Sequence, residues 1–373
     1  MAIEWNLSQL VWIVPRSQVT GAPGAPSHLV EASRGRFFLS PGGLCHGAPV
    51  CCQSSGPLLS LALALALAAG SGCGDPTPEG PDAAPPPPIC EGAYGSIEDR
   101  GALQDAELLE ASGLATSLQS PGVLWSHNDS GDSARLFMVR DDGAALGRLA
   151  LPGVTAEDFE DMDLGPCPDG TDPCLWVADT GNNLMSRTEV VVYATPEPSI
   201  DPSQESVELT ADTVWRFPID YPGDPIDIEA MMVAADGPTL YFFEKNNLDR
   251  ARIYRHPGPL VADQLATLEE LGDFAAPGLA VDFGRAITAA DLHPSGTRML
   301  LRVYTAIYEY RFGSGQGVAD LDAIEPTLVA AGPLTEPQGE ALTYDFSGSG
   351  VWSVSEDAPD TPRQQLHHFS CEP

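Results

Sequence analysis

The pentapeptide Asp158-Phe159-Glu160-Asp161-Met162 decides the fold of this chain, because it recurs as Asp227-Ile228-Glu229-Ala230-Met231 and as Gln338-Gly339-Glu340-Ala341-Leu342. Each copy leads through a turn to a second apolar segment, and a carboxylate closes each of these segments: Asp179, Glu244 and Glu356. Two weaker copies begin at Ser112 and Ala290, which makes five units of roughly 50 to 70 residues, the range of β-propeller blades. The predicted fold is therefore all-β, a single β-propeller in which equivalent positions converge on one axis.

The number of blades and the closure of the ring depend on the ends of the series. Five repeats are visible, and the long step from Glu160 to Glu229 leaves room for a sixth blade. A closed ring must join its last blade to its first, since an open sheet edge invites pairing with other chains. The last unit has too few residues after Phe369 to form a further strand of its blade. We therefore expect the N-terminal segment 89–97 to supply the missing strand of that blade.

Four cysteines lie in the predicted propeller, and an even number in an exported protein indicates two disulfides. Three pairings are possible. The spacing favours Cys167 with Cys174, which flank a turn-rich loop, and Cys90 with Cys371, which would join the two ends of the ring.

The segment ahead of the propeller resembles an export signal. Residues 58–69 form an apolar run that is too short to cross a bilayer and has the length of a signal-peptide core. Small residues ending at Cys73 resemble a lipoprotein cleavage site, although Gly70 stands where leucine is usual. We predict that residues 58–73 are the export signal and that Cys73 is lipidated, with ordinary secretion as the alternative.

The remaining boundaries follow from composition. Residues 1–57 are predicted to be a disordered extension or a misassigned start, and residues 74–88 a linker, because the run Pro85–Pro88 favours stiff polyproline II. The propeller is predicted over residues 89–373. The expected location is the outer membrane or the periplasm as a lipoprotein, or otherwise the medium.

The net charge of the chain restricts the classes of partner that it can bind. Asp and Glu number 53 against 18 Lys and Arg, which gives a net charge of −35, and Lys245 is the only lysine. A surface this acidic repels nucleic acid and anionic lipid and attracts cations. We expect a monomer that meets a membrane only through its lipid anchor and binds a small ligand or a cell-envelope protein.

Turns rich in Asp and Asn follow the second apolar segment of the first units and suggest a Ca²⁺ site. Carboxylate and amide oxygens are the ligands that Ca²⁺ prefers. The candidate ligands are His127, Asn128, Asp129, Asp132, Asp179 and Asn182. The alternative is that Asn and Asp merely form the turns. No motif for a nucleotide or an organic cofactor is present in the exported region.

Two sets of carboxylates recur in the repeat and receive different predictions. Glu160, Glu229 and Glu340 fall on the first strand, where we predict that they accept backbone N–H bonds from the neighbouring blade as interblade clamps; a bound metal or a basic substrate is the alternative. The residues that end the second strands, together with the rare cations, form the predicted ligand pocket: Asp129, Asp179, Glu244, Lys245, Arg302 and Glu356.

Three phrases carry a resemblance to a known family: Trp125–Asp132, Asp158–Met162 and Gln338–Leu342. Over about residues 105–372 the chain resembles secreted bacterial β-propellers that are distantly similar to phytase-like and esterase-like propellers. In phytase propellers, acidic clusters hold Ca²⁺ beside basic residues that receive phosphate.

Two functions therefore stay open. In the first, the propeller binds a ligand or a partner at an acidic axial face, with Ca²⁺. In the alternative, it is a Ca²⁺-dependent phosphoesterase or esterase, in which carboxylates at the ends of the second strands hold the metal and Arg302 or Lys245 orients the substrate.

Overall fold

The computed structural model describes residues 88–372, with the exception of 172, 236, 247–248, 282, 332–337 and 357–363. The predicted N-terminal extension, the export signal with Cys73, and all but the last residue of the linker lie outside this part of the chain. Within it, no helix is long and apolar enough to cross a membrane.

The described chain is almost entirely β-strand, because short runs of β-branched and aromatic residues alternate with turns of Gly, Asp and Asn. Strands β1 (Ala93–Tyr94) and β2 (Glu98–Ala102) come first. The first sheet in the chain contains β3 (Ala111–Thr116), β4 (Val123–Asn128), β5 (Arg135–Arg140) and β6 (Ala145–Ala150). The second contains β7 (Phe159–Gly165), β8 (Cys174–Asp179), β9 (Glu189–Pro196) and, after β10 (Val207–Thr210), strand β11 (Trp215–Asp220).

Three more sheets follow in the same order. The third contains β12 (Ile228–Val233), β13 (Leu240–Glu244), β14 (Arg250–Arg255) and, after β15 (Ala266–Thr267), strand β16 (Glu269–Ala275). The fourth contains β17 (Ile287–Leu292), β18 (Arg298–Val303), β19 (Ala306–Arg311) and, after a 3₁₀ helix (Val318–Ala323), strand β20 (Thr327–Ala331). The fifth contains β21 (Gly339–Tyr344), β22 (Val351–Ser355) and β23 (Gln365–Phe369), and β24 (Cys371–Glu372) ends the series.

The first strands of the five sheets lie side by side around one axis. Strands β3, β7, β12, β17 and β21 contact one another in that order, and β21 contacts β3 to close the ring. Within each sheet, successive strands pair antiparallel outward from this inner strand. The molecule is therefore a β-propeller, as predicted, and it has five blades.

The sixth blade that the sequence left room for does not form. The extra residues between β9 and β11 contribute β10, which pairs parallel with β6 and becomes the outermost strand of the first blade. In the same way β15, from the third blade, pairs parallel with β11 of the second. Each insertion covers the open edge of the preceding blade, which would otherwise expose unpaired backbone groups.

The ring is closed by both ends of the described chain, as predicted. Strand β2 pairs antiparallel with β23 as the outermost strand of the fifth blade, and β1 pairs with β24. The closing strand is Glu98–Ala102 and thus begins just after the predicted segment. Both predicted disulfides, Cys90–Cys371 and Cys167–Cys174, are present.

Five apolar clusters fill the five interfaces between neighbouring blades. Trp125 of the first blade, for example, packs in one cluster with Leu175 and Val177 of the second. Each side chain of this size contributes about 1.5–3 kcal/mol when it is fully buried. Adjacent blades therefore depend on each other for their cores.

Candidate metal centre at the axial face

Every blade carries one β-bulge at the same place, near the start of its inner strand. The extra residues, which have no partner on the second strand, are Ser112, Glu160, Glu229, Thr288 and Glu340. A bulge redirects its side chain out of the regular alternation. These five positions are therefore structurally equivalent, and the fourth blade contributes Thr288, where the sequence alignment of the repeats had placed Ala290.

The five bulged residues are of two chemical types, two with hydroxyl groups and three glutamates. The hydroxyl groups of Ser112 and Thr288 donate to the backbone C=O of Glu160 and Gly339 in the next blade, both at 2.8 Å. The three glutamates are at most 3 % exposed, and each has one buried oxygen without a hydrogen-bond partner in the described chain: Glu160 Oε1, Glu229 Oε1 and Glu340 Oε2.

In the described chain, the interblade hydrogen bonds that we predicted for these glutamates are made by other acids on the inner strands. The acid that clamps follows Glu160 directly: Asp161 accepts hydrogen bonds from the backbone N–H of Met231 (2.9 Å) and of Ala290 (3.2 Å). Two further acids do the same on the inner strands, since Asp163 accepts from Val233 N–H and Asp291 from Tyr344 N–H. The bulge turns Glu160 away from this ladder and leaves the clamping to its neighbours.

Three carboxyl groups meet at the end of the axis where the inner strands begin. Asp129 follows β4, Asp158 precedes β7, and Glu160 is the bulged residue; one oxygen from each lies within 4.8 Å of the others. A Cβ atom at Gly181 would overlap both Glu160 Oε1 and Asp158 Oδ2, so only glycine lets the β8–β9 turn approach this closely. Three hard oxygen donors in one place suit a divalent cation such as Ca²⁺.

A single ammonium group lies beside this trio. Lys245 Nζ is 2.6 Å from Glu229 Oε2 and 5.1 Å from the centre of the Tyr304 ring. Burial lowers the pKa of Lys245, but Glu229 and Glu340 outweigh it and raise the pKa well above its ordinary value. The ammonium group is therefore charged at neutral pH. We call Lys245 and the surrounding carboxyl groups the axial acid cluster, whose members are Asp129, Asp158, Glu160, Glu229, Lys245, Glu340 and Glu356.

The carboxyl groups of the cluster hold their protons unusually tightly. Burial, assisted by the charge of Asp158, raises the pKa of Asp129 to about 7. Burial, assisted by Asp129, raises the pKa of Glu356 to about 8, and burial likewise raises that of Glu340 to about 8. Burial and the charge of Glu229 raise the pKa of Glu160 well above its usual range. One lysine thus does not neutralise the cluster, and a further cation would be bound in exchange for protons.

The structure brings together only some of the residues that were predicted to form the ligand pocket. Asp129, Lys245 and Glu356 belong to the axial acid cluster, whereas Asp179 is paired with Arg187 at 2.8 Å and Glu244 with Arg252 at 2.7 Å. The predicted pocket cation Arg302 is buried, and its guanidinium donates to the backbone C=O of Ala341 and to Ser353 Oγ.

Of the six predicted Ca²⁺ ligands, only Asp129 lies in the carboxylate trio. The side chain of Asn128 orders the turn before β3 by accepting from Leu109 and Glu110 N–H, and Asp132 pairs with Arg135.

The other two side chains are also engaged elsewhere. Asn182 accepts from the N–H groups of Ser186 and Arg187 within its own loop. His127 is fully buried against Phe159, and burial lowers its pKa to about 4. Two members of the trio were not among the six predicted ligands: Glu160, which was predicted to be a clamp with a bound metal as the alternative, and Asp158, which opens the recurring pentapeptide and was visible there.

Fold and site together define a five-bladed β-propeller with an acid cluster at one end of its axis. No family model and no curated protein matches the sequence. Among solved structures, the chain is similar to the structure of U3-55K, at 9% identity and a TM-score of 0.37, covering 75% of this chain and 99% of that chain. It is also similar to the crystal structure of RRP9 WD40 repeats, at 10% identity and a TM-score of 0.36, covering 75% and 99%. The fold assignment rests on the closed ring of inner strands.

Proposed function

We propose that this chain is an exported, lipid-anchored β-propeller that binds a ligand or a protein partner at the axial acid cluster, with Ca²⁺ held by Asp129, Asp158 and Glu160. One observation carries the proposal: Glu160 Oε1 is buried, has no partner in the described chain, and faces two further carboxyl groups. An unpaired buried carboxylate costs several kcal/mol, and a bound cation removes that cost.

Calcium suits the site better than a smaller ion. Ca²⁺ accepts six to eight oxygen ligands in flexible geometry, whereas Mg²⁺ demands a near-ideal octahedron. The three carboxyl groups fill only part of such a shell, so water or oxygen atoms of a bound molecule complete it. The cation thereby becomes part of the surface that a ligand meets.

Export is supported by the cysteines of the propeller. All four form disulfides, one of which closes the ring, and disulfides persist in oxidising compartments outside the cytosol. The lipid anchor at Cys73 is tested by fractionation: Cys73→Ser is expected to move the protein from the membrane fraction to the soluble fraction, and an unchanged distribution would refute the anchor.

A hydrolase is the second candidate, and the pKa values of two carboxyl groups favour it. Asp129 and Glu356, with pKa values of about 7 and 8, are poised to exchange protons at neutral pH beside a candidate cation. Asp179 and Glu244, which the sequence had added to the metal ligands, are paired with arginines instead. Turnover of p-nitrophenyl phosphate or p-nitrophenyl acetate that needs Ca²⁺ and is lost in Glu356→Gln would establish this activity.

Calcium binding itself is tested by calorimetric titration of the full chain. Asp158→Asn is expected to weaken Ca²⁺ binding by about tenfold or more, which corresponds to about 1.4 kcal/mol. The matched control is Asp224→Asn, which makes the same change at an exposed residue in the turn before β12. No Ca²⁺ binding by the native chain, or equal affinities in the two variants, would overturn the proposal.

A further inference from the structure

Apolar side chains are exposed on the loops around the axial acid cluster. The largest of them are Leu109, Leu184, Met185, Leu279, Val281 and Phe283, which are between 47% and 88% exposed. All six lie in loops that precede an inner strand or follow a second strand, and these loops share one end of the axis. This end of the propeller therefore combines exposed apolar side chains with a centre of buried carboxyl groups.

Direct contacts connect the apolar residues of the fourth blade to the cluster. The ring of Phe283 lies 6.3 Å from that of Tyr304, edge to face, and the Tyr304 ring lies 5.1 Å from Lys245 Nζ. Lys245 in turn pairs with Glu229. An exposed aromatic ring and the buried acids are thus only two side chains apart.

The first and second blades are connected to the cluster through their backbone. Leu109 directly precedes Glu110, whose C=O accepts a hydrogen bond from Asp129 N–H at 2.9 Å. Leu184 and Met185 lie in the loop that begins at Gly181, the glycine packed against Glu160. Exposed apolar residues from three blades therefore lie on loops that adjoin the axial acid cluster.

The negative charge of the axial acid cluster determines which kind of partner this face can bind. Two buried oxygens of the cluster, Glu229 Oε1 and Glu340 Oε2, have no partner in the described chain, and the only ammonium group beside them is that of Lys245. We infer that this face binds a segment of a partner protein in which a lysine or arginine is flanked by apolar side chains. The basic group pairs with the acids, and the apolar side chains pack on Leu184, Leu279 and Phe283.

Two other candidate partners are disfavoured by the negative charge of the axial acid cluster. An anionic lipid surface is repelled by the cluster, and a second copy of the chain docked by the same face would bring two acid clusters together. The basic segment deepens the proposed function, since it uses the same face, but its recognition is measured separately from that of Ca²⁺.

The experiment is a selection of random dodecapeptides displayed on phage against the full chain in Ca²⁺. The expected result is enrichment of peptides that carry Lys or Arg next to Leu, Phe, Ile or Trp. Synthetic copies are then expected to bind about tenfold more weakly to Phe283→Ser and to Glu340→Gln, and about tenfold more weakly when their basic residue is replaced by glutamine.

Phe346→Ser is the matched control, because Phe346 is 51% exposed, close to the 47% of Phe283, but lies in the β21–β22 turn at the opposite end of the axis. No enrichment, enriched peptides without a basic residue, equal effects of Phe283→Ser and Phe346→Ser, or self-association of the chain through this face would each overturn the inference. Since Phe283→Ser leaves the carboxylate trio intact, Ca²⁺ titration of that variant shows whether the cation site survives when peptide binding fails.

Discussion

Glu160 and Asp161 are neighbours in the chain, both are buried, and burial raises the pKa of both well above its usual range, yet their surroundings differ completely. Asp161 accepts three backbone N–H bonds, two of them from other blades. Glu160 keeps one oxygen without a partner and faces Asp129 and Asp158. Hydrogen-bond partners, and not burial, separate an acid that holds the propeller together from an acid that is available to a ligand.

The largest expected effect comes from removing the clamping acid. Asp161→Ala leaves the N–H groups of Met231 and Ala290 buried without an acceptor, at about 1–3 kcal/mol each, and should lower the free energy of unfolding by about 3–5 kcal/mol. Urea denaturation of the calcium-free protein measures this. Glu160→Ala is the comparison, and an equal loss in that variant would erase the distinction between the two acids.

The next effect is on the pH dependence of stability without Ca²⁺. The pKa values of Asp129, Glu340 and Glu356 are raised to about 7, 8 and 8, so the folded protein keeps protons that the unfolded chain releases near pH 4 to 5. The stabilisation is complete below the unfolded pKa and is lost as the pH rises through the folded pKa, so the free energy of unfolding should fall between pH 5 and pH 8 by at least about 2–3 kcal/mol, which is the contribution of Asp129 alone.

Two comparisons check this pH dependence. Saturating Ca²⁺ should flatten the curve, because the cation stabilises the ionised carboxyl groups, and Glu356→Gln should reduce its slope. A flat curve in chelator, or an unchanged slope in Glu356→Gln, would contradict the assignment.

Substitution of the unpartnered acid should have opposite effects on binding and on stability. Glu160→Gln removes the free-energy cost of burying an acid that must either take up a proton on folding or carry an unpaired charge, so in chelator the free energy of unfolding should rise by about 1 kcal/mol, while Ca²⁺ affinity falls by about tenfold. Thermal melting in chelator and calorimetric titration give the two values. Lower stability together with native Ca²⁺ affinity would assign Glu160 to the framework of the propeller.

The smallest expected effect comes from a substitution at the bulged position of the first blade, which is equivalent to that of Glu160. Ser112 occupies the same bulged position as Glu160 but donates to the neighbouring blade, so Ser112→Ala should cost about 1 kcal/mol and leave Ca²⁺ affinity unchanged. The same two measurements apply. A change in Ca²⁺ affinity would mean that the hydroxyl positions also contribute to the site.

The sequence predicted the fold well because the repeat reports equivalent positions directly. The recurring acids at the ends of the second strands placed Asp129 and Glu356 at one end of the axis, and the spacing of the cysteines identified both disulfides. Blade number was ambiguous, because a strand inserted in one blade and paired with another, as β10 is, looks from the sequence like part of an additional unit.

The site was harder to predict, for two physical reasons. A β-bulge shifts the register by one residue without a sequence signal, so the recurrence of Glu160 in the repeat did not reveal that its neighbour Asp161 is the residue that bonds to the adjacent blade. An Asn or Asp that orders a turn and one that binds Ca²⁺ have the same composition around them, so Asn128 and Asn182 resembled ligands, although Asn128 orders the turn before β3 and Asn182 orders its own loop.

The place where the chain enters the propeller would determine which end of the molecule faces away from the membrane if the proposed lipid anchor is present. Residue 88 lies beside His293, just beyond β17 at the end of the axis opposite the acid cluster, and the C=O of Cys90 accepts from Arg298 on that same side. If the chain is anchored as proposed, the tether would therefore join the propeller at the end opposite the axial acid cluster. A pull on such a tether would reach the Cys90–Cys371 bond before the β2–β23 ladder, and this bond would keep the two ends of the ring joined.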